Sequence, residues 1–327
     1  MSRTRRTTLT VPAPRNAGTA QTAPATATAL SPQSLAAFES RASTRARWWW
    51  LGTISPIVWL CIAILLFFMV GGVFGPVLAP HDPNANDLRN RLAPTVFETG
   101  GSSTYLLGTD QLGRDLLSRL LYGARVSLTI GFVGMVVGAV IGTLCGLISG
   151  FVRGVLDEIL MFIADAYQAL PFLIIALSIV AVFGASLTVL VLLAAFNGWA
   201  TYTRVARGLA LSAREQQHVL AARSIGATPA RLLLRHVLPS TAAPLIVLAT
   251  FELTAIILLE ATLSFLGFGI QPPTPAWGYM VSEGRQYLQS AWWVGVLPGL
   301  AIMLVTISVS LVGDWLRDVL DPTLRSK

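Results

Sequence analysis

The residue types that carry most protein chemistry are scarce in this chain and poorly placed for it. A P-loop needs a lysine that reaches the phosphates, and the only lysine, Lys327, is the last of 327 residues. The three histidines, His81, His218 and His236, stand in three different sequence contexts with no His-Glu-x-x-His run, so no metal site is expected. No Gly-x-Ser-x-Gly elbow occurs, and Cys61 and Cys145 both lie inside apolar runs, which offers neither a disulfide framework nor a zinc set. Catalysis and a resident cofactor are therefore not expected. What remains are polar groups embedded in apolar sequence. Asp165 and Gln168 lie one helical turn apart ahead of Pro171, while Glu252 and Glu260 fall about 80° apart around a helix at roughly 100° per residue. Ionisable groups at bilayer depth are costly and usually face a cavity or a partner, so these four are candidates to line or gate a path across a membrane. For Asp165, roughly 12 Å along a helix from Asp157, an interface or gate contact at the membrane edge fits equally well, and for Glu260 a hydrogen bond between helices does.

The elements that hold these groups follow from composition. The chain is 54% hydrophobic and 12% charged, with a mean hydropathy of +0.66, far from a soluble domain. It reads as an all-α integral membrane protein. The net charge of +7 does not point to nucleic acid, because the basic residues, all but one of them arginine, mostly flank apolar runs as topology signals do.

In order, residues 1–47 carry seven arginines against Glu39 and too little apolar content for a core, which predicts a disordered basic arm. A twin-arginine signal at Arg5-Arg6 lacks the apolar stretch that should follow it. Trp48-Trp49-Trp50 then forms an aromatic belt ahead of a first crossing, the two together covering residues 48–75. Residues 76–123 form an outside segment closing in periodic leucines (Leu112, Leu116, Leu117, Leu120, Leu121), expected as an interfacial helix. Residues 124–316 hold five further crossings, the first of them over 126–148 with glycine at 134, 138, 142 and 146, a stripe that lets another backbone approach. A third crossing runs through Phe183, a fourth over 187–205, a fifth over 242–265 and a sixth over 292–312, leaving 317–327 as a tail. Of the basic residues, 17 then fall inside and six outside, where Asp82, Asp87, Glu98, Asp110, Asp115 and Glu283 balance them, so both termini are expected in the cytoplasm.

Between the fourth and fifth crossings, residues 213–239 break the apolar pattern. A short helix is stopped by Gly226, and Thr228-Pro229 reads as an N-cap and first-turn proline opening a second helix to about Val237, ahead of Pro239. Here Leu220-Ala221-Ala222, Gly226 four residues on, and Leu238-Pro239 resemble the EAA loop of ABC importer permeases. Three further stretches are similar to the C-type permease of dipeptide and oligopeptide importers: Gly108 to Asp115 with Tyr122-Gly123-Ala124-Arg125-Val126-Ser127-Leu128; Leu263 to Gly269 with Pro272 to Gly278; and Gly313-Asp314-Trp315-Leu316-Arg317-Asp318 with Leu320-Asp321-Pro322. The likeness covers roughly residues 54–324 and implies six transmembrane helices with a cytoplasmic coupling helix, the type I importer permease fold.

It further implies a subunit that forms half of a peptide pathway in a bacterial plasma membrane. Implied partners are a second, homologous permease subunit, two ABC ATPase subunits that bind ATP and Mg, and an extracytoplasmic substrate-binding protein. Membrane lipid is a partner for the arginine-rich arm. The ATPase-coupling residues would be Leu220, Ala221, Ala222, Arg223, Gly226 and Pro239, with Arg223 the charged contact. Leu220 stands where the family's loop has its glutamate, so a contact made through that carboxylate does not carry over. Alternatives are nickel chelate, opine or haem as cargo in the same importer class, a self-sufficient proton-coupled carrier using Glu252 and Glu260, and a membrane enzyme, the last opposed by the missing catalytic sets.

Overall fold

The structure, a computed structural model, describes residues 55–320; the basic arm, the tryptophan belt and the end of the tail lie outside the described residues. The first helix, α1 (Pro56–Leu78), opens with Pro56 at its first position and the Ser55 hydroxyl accepting from the Val58 N–H. It is followed by 37 residues of turns and one 3₁₀ turn (Leu88–Asn90), then by α2 (Leu116–Val152). The Asp115 carboxylate caps α2 by accepting from the Ser118 N–H and hydroxyl. The periodic leucines from Leu116 onward do not make a separate interfacial helix: they are the first turns of α2, and Leu116, Leu120 and Leu121 are buried. The same cap that starts the helix leaves nothing to stop it before Arg153, where the backbone turns to positive φ.

The glycine stripe of α2 packs along α5 (Leu187–Arg214). Gly134 faces Ala194, Gly142 faces Trp199, Gly146 faces Thr203 and Gly150 faces Arg207. Both numbers rise together, so the two helices run parallel and the chain between them must return to the starting end. It does so through α3 (Val155–Gln168) and α4 (Phe172–Phe183), which are bent by 82° to each other. The expected third crossing is thus a broken one. Pro171 disfavours helix at Leu170 and ends the ladder of α3, and neither piece is long enough to span alone.

The remaining elements complete the bundle. After α6 (Gln217–Ser224) and α7 (Pro229–Leu232), a π turn (Leu233–Val237) leads directly into α8 (Leu238–Phe265), and α9 (Trp277–Gly284) and α10 (Trp293–Leu320) follow. α8 runs antiparallel to α2, with Glu260 opposite Ser127 and Ile257 opposite Gly131, and antiparallel to α10, with Thr250 opposite Gly313. Among the described residues, five helices are long and apolar enough to cross a bilayer, and the bent pair, which returns the chain between the parallel α2 and α5, makes a sixth passage. The segments 79–115 and 266–292 consequently lie at one end of the bundle and α6–α7 at the other.

Candidate functional site

At the α6 end, local sequence builds a protruding hairpin of helices. α6 is anchored by one buried side chain, Val219, while its root is held by Arg214, whose Nη1 donates to the Phe151 carbonyl (3.0 Å). Gly226 adopts φ +86°, a conformation open to glycine and strained for other residues, and the N–H of Ala227 returns to the Ala222 carbonyl to close the helix end. A side chain at Gly226 would meet nothing within 4 Å, so the glycine serves the turn and not close packing. The Thr228 hydroxyl then accepts from the Arg231 N–H, and Pro229 begins α7.

One expectation changes here. The second helix does not stop at Val237 ahead of a new crossing: residues 229–265 form one unbroken 37-residue helical run. Pro239 falls within the first turn of α8, where its missing N–H would otherwise need a partner four residues back, and the π turn absorbs the mismatch. Val237 and Leu232 bury the root of this run. Its outer surface, and that of α6, exposes Ala221, Arg223 and three large apolar side chains, Leu220, Ile225 (87% exposed) and Leu234. Ala222 is half-buried and Pro239 exposed. The rings of His218 and His236, widely separated in sequence, come within 6.2 Å centroid to centroid.

The polar residues of the spans fall into separate groups. Asp165 and Gln168 are brought together on α3 by Arg204 of α5, whose Nη2 reaches the Asp165 carboxylate (2.5 Å) and whose Nη1 donates to the Gln168 side-chain Oε1. This cluster is open to its surroundings, both charged side chains being substantially exposed. One turn further along α5, Arg207 grips Asp157 with two nitrogens (2.5 and 2.7 Å), and the Ser149 hydroxyl donates to the same carboxylate. Glu252 is half-buried, its carboxylate against α5 beside Gly198. Glu260 is buried, accepting from Ser127 of α2 (2.9 Å) and from Ser264 (2.7 Å). α8 holds the two glutamates against different neighbours, so they do not form a pair.

Two arginine roles escaped the sequence reading. Arg204 and Arg207 counted there only as topology charges, and nothing local shows that α3 crosses α5 where their guanidiniums reach Asp165 and Asp157. At the opposite end, Arg114 and Arg119 counted only among the outside basic residues, yet they are 5% and 1% exposed. Arg114 pairs with Asp110 (2.6 Å) and Glu283 (3.6 Å), Arg119 with the same two (3.4 and 3.7 Å), and Gln111 donates to Glu283. Two cations and two anions thereby clamp the segment 79–115 and α9 onto α2. Burial pushes the Glu283 carboxyl above its usual range, opposed by the guanidiniums of Arg119 and Arg114. The only signal available beforehand was the i, i+4 spacing of Asp110 and Arg114.

Comparison with known proteins adds to this geometry. Residues 142–326 match the family described as binding-protein-dependent transport system inner membrane component, and residues 55–94 match the N-terminal TM domain of oligopeptide transport permease C. The chain is 42% identical to the di/tripeptide transport system permease protein DppC of Pseudomonas aeruginosa (strain UCBPP-PA14), over 81% of this chain and 88% of the relative. It is 46% identical to the dipeptide transport system permease protein DppC of Escherichia coli (strain K12), over 82% and 89%. To the probable D,D-dipeptide transport system permease protein DdpC of the same strain it is 37% identical, over 85% and 91%. Among solved structures, the MetNI methionine ABC transporter in an inward-facing conformation aligns with a TM-score of 0.50 at 20% identity, covering 61% of this chain and 94% of that one.

Proposed function

The chain belongs to the binding-protein-dependent transport system inner membrane components, as a multi-pass permease subunit of an ABC importer, and from this we propose how it works. Its cargo is a di- or oligopeptide, a reading that rests on the names of its relatives. A second, homologous permease subunit completes the pathway, two ATPase subunits bind ATP and Mg and hydrolyse the nucleotide, and an external binding protein delivers the peptide. The α6 end faces the cytoplasm together with both termini, in keeping with the arginine bias.

The observation that carries the mechanism is the continuity of α7 with α8. An ATPase docked on Leu220, Ala221, Ala222 and Arg223 of α6 pushes, through the Gly226 turn, on the α7–α8 run, which does not end at the membrane surface but continues across it. The displacement is therefore delivered to the faces of α8 that carry Glu252 and Glu260. The Arg204 cluster, where the broken helix α3–α4 meets α5, is the second place where this motion alters a contact. Direction comes from nucleotide-driven preference between inward- and outward-facing states and not from cargo affinity alone.

The test is co-purification of the chain with the products of its neighbouring genes. ATPase subunits are expected to co-purify with the native chain and to detach from Ala222→Glu and Gly226→Arg, while the helical content stays unchanged. Absence of any ATPase from the native chain defeats the reading; retention of ATPases by both variants moves the docking surface elsewhere.

A further inference from the structure

The face formed by α1, α2, α8 and α10 carries a groove of about 390 Å³. Its walls are apolar, built by Phe68, Met69 and Val73 of α1, Leu128 and Phe132 of α2, and Leu253 of α8. Arg125 and Thr129 of α2 are the only polar side chains in the lining. They stand four residues apart on one helix, hence on one face, and both are exposed. Arg125 makes no ion pair among the described residues, in contrast to Arg119, six residues earlier on α2, and Arg114, just ahead of that helix.

The depth of Arg125 is set by α1. A side chain at Gly72 would lie 3.0 Å from the Arg125 backbone nitrogen, and Gly72 stands six residues before the end of α1 at Leu78. At 1.5 Å per residue this places Arg125 about 9 Å inside the end of that helix. A guanidinium there sits at the boundary between headgroups and acyl chains, where it is retained only by reaching an anion or water. Phosphodiesters are well suited, since the planar fork donates two hydrogen bonds to one phosphate.

We propose that this groove is a phospholipid site, with the lipid phosphate on Arg125, a glycerol ester carbonyl within reach of Thr129, and one acyl chain along the apolar walls. The occupant is a lipid and not a helix of another subunit because a protein partner would have to place a carboxylate against the one charge on the rim, whereas a phospholipid brings anion and apolar chain in one molecule. The lipid would lie in the leaflet at the 79–115 end and would fill the seam between α1 and the rest of the bundle.

The test uses the assembled importer, delipidated in mild detergent and titrated with phosphatidylglycerol under native mass spectrometry. One tightly held lipid per copy of this chain is expected. Arg125→Gln should weaken it roughly tenfold, the scale of one charge-assisted contact, and Arg125→Lys should retain part of the affinity. Val73→Trp fills the groove from an exposed position without touching the charge and should cause a comparable loss. Thermal midpoints of both variants in lipid-free detergent should match the native protein, which separates lost binding from lost folding. Inorganic phosphate at millimolar concentration should not compete. Lipid retention by Arg125→Gln and Val73→Trp equal to that of the native protein overturns the proposal, as does a photoactivatable residue at position 73 that labels a protein chain and no lipid.

Discussion

Two glycine-to-alanine substitutions of identical chemistry should shift stability in opposite directions. At Gly146, a methyl group would lie 2.3 Å from the Thr203 carbonyl oxygen and 2.7 Å from the Ala206 side chain, both on α5. That is about 1 Å short of an ordinary contact, and the obstacle is backbone, which no rotamer change can remove. The helices must part, and parting loosens the same seam at Gly142 and Gly150, whose own approaches are 2.4 and 2.6 Å. Overpacking of this kind costs about 1–3 kcal/mol, against up to about 1 kcal/mol gained from the better helix propensity of alanine. Gly208 lies on α5, and a methyl group there meets nothing within 4 Å. Only the propensity gain remains, about 0.5–1 kcal/mol. Equilibrium unfolding in mixed micelles should thus separate Gly208→Ala from Gly146→Ala by about 2 kcal/mol, with the native protein between them. Gly146→Ala equal to or more stable than Gly208→Ala would refute the argument that α2 and α5 are held at backbone contact.

Arg119→Met leaves Asp110 and Glu283 sharing one guanidinium in a buried site and should cost about 3–5 kcal/mol, read as a lower thermal midpoint and faster proteolysis within residues 79–115. Adding Glu283→Gln restores the charge balance and should recover part of the loss; a single variant as stable as the native chain means that the clamp contributes nothing. The raised Glu283 carboxyl means that the folded protein holds its proton at pH values where the unfolded chain, titrating near 4.3, has released it. Its contribution to stability is complete below that value and declines as pH rises through the folded value. The native chain should therefore lose ground relative to Glu283→Gln as the pH rises above the unfolded value, and the opposite slope would show that Arg114 and Arg119 outweigh burial. Asp165→Asn breaks an exposed pair and should change stability by less than about 1 kcal/mol while altering peptide-dependent ATP hydrolysis by the assembled importer; a loss of stability with hydrolysis unchanged makes the Arg204 cluster a structural tie.

The apolar runs and the glycine stripe were legible because each rests on local physics. A run of about twenty uncharged residues has few alternatives to a spanning helix, and glycine at every fourth position marks one face whatever it meets. The turn at Gly226 and the cap at Thr228-Pro229 were legible for the same reason, since each depends on a few neighbouring residues. Helix ends and breaks were less so. Leu116 began a long helix instead of a surface one because the Asp115 cap starts a ladder that the following sequence continues, and α7 joined α8 because a π turn accommodates Pro239. Pro171 was visible, but the 82° bend it permits is set by the packing of α4 on α5.

Most pairings lay beyond reach, because they join residues far apart in the chain: Arg204 with Asp165, Arg207 with Asp157, Glu260 with Ser127, and Arg114 and Arg119 with Glu283. A charge in a sequence reports only that a cost must be met, and which group meets it depends on helix crossings. Residue order was therefore enough to establish a six-passage membrane chain with one helical hairpin between its fourth and fifth passages. Only helix packing decided that the hairpin is rooted in α8, that Arg114 and Arg119 are buried in a balanced clamp, and that Arg125 is left exposed on α2 with no ion pair among the described residues.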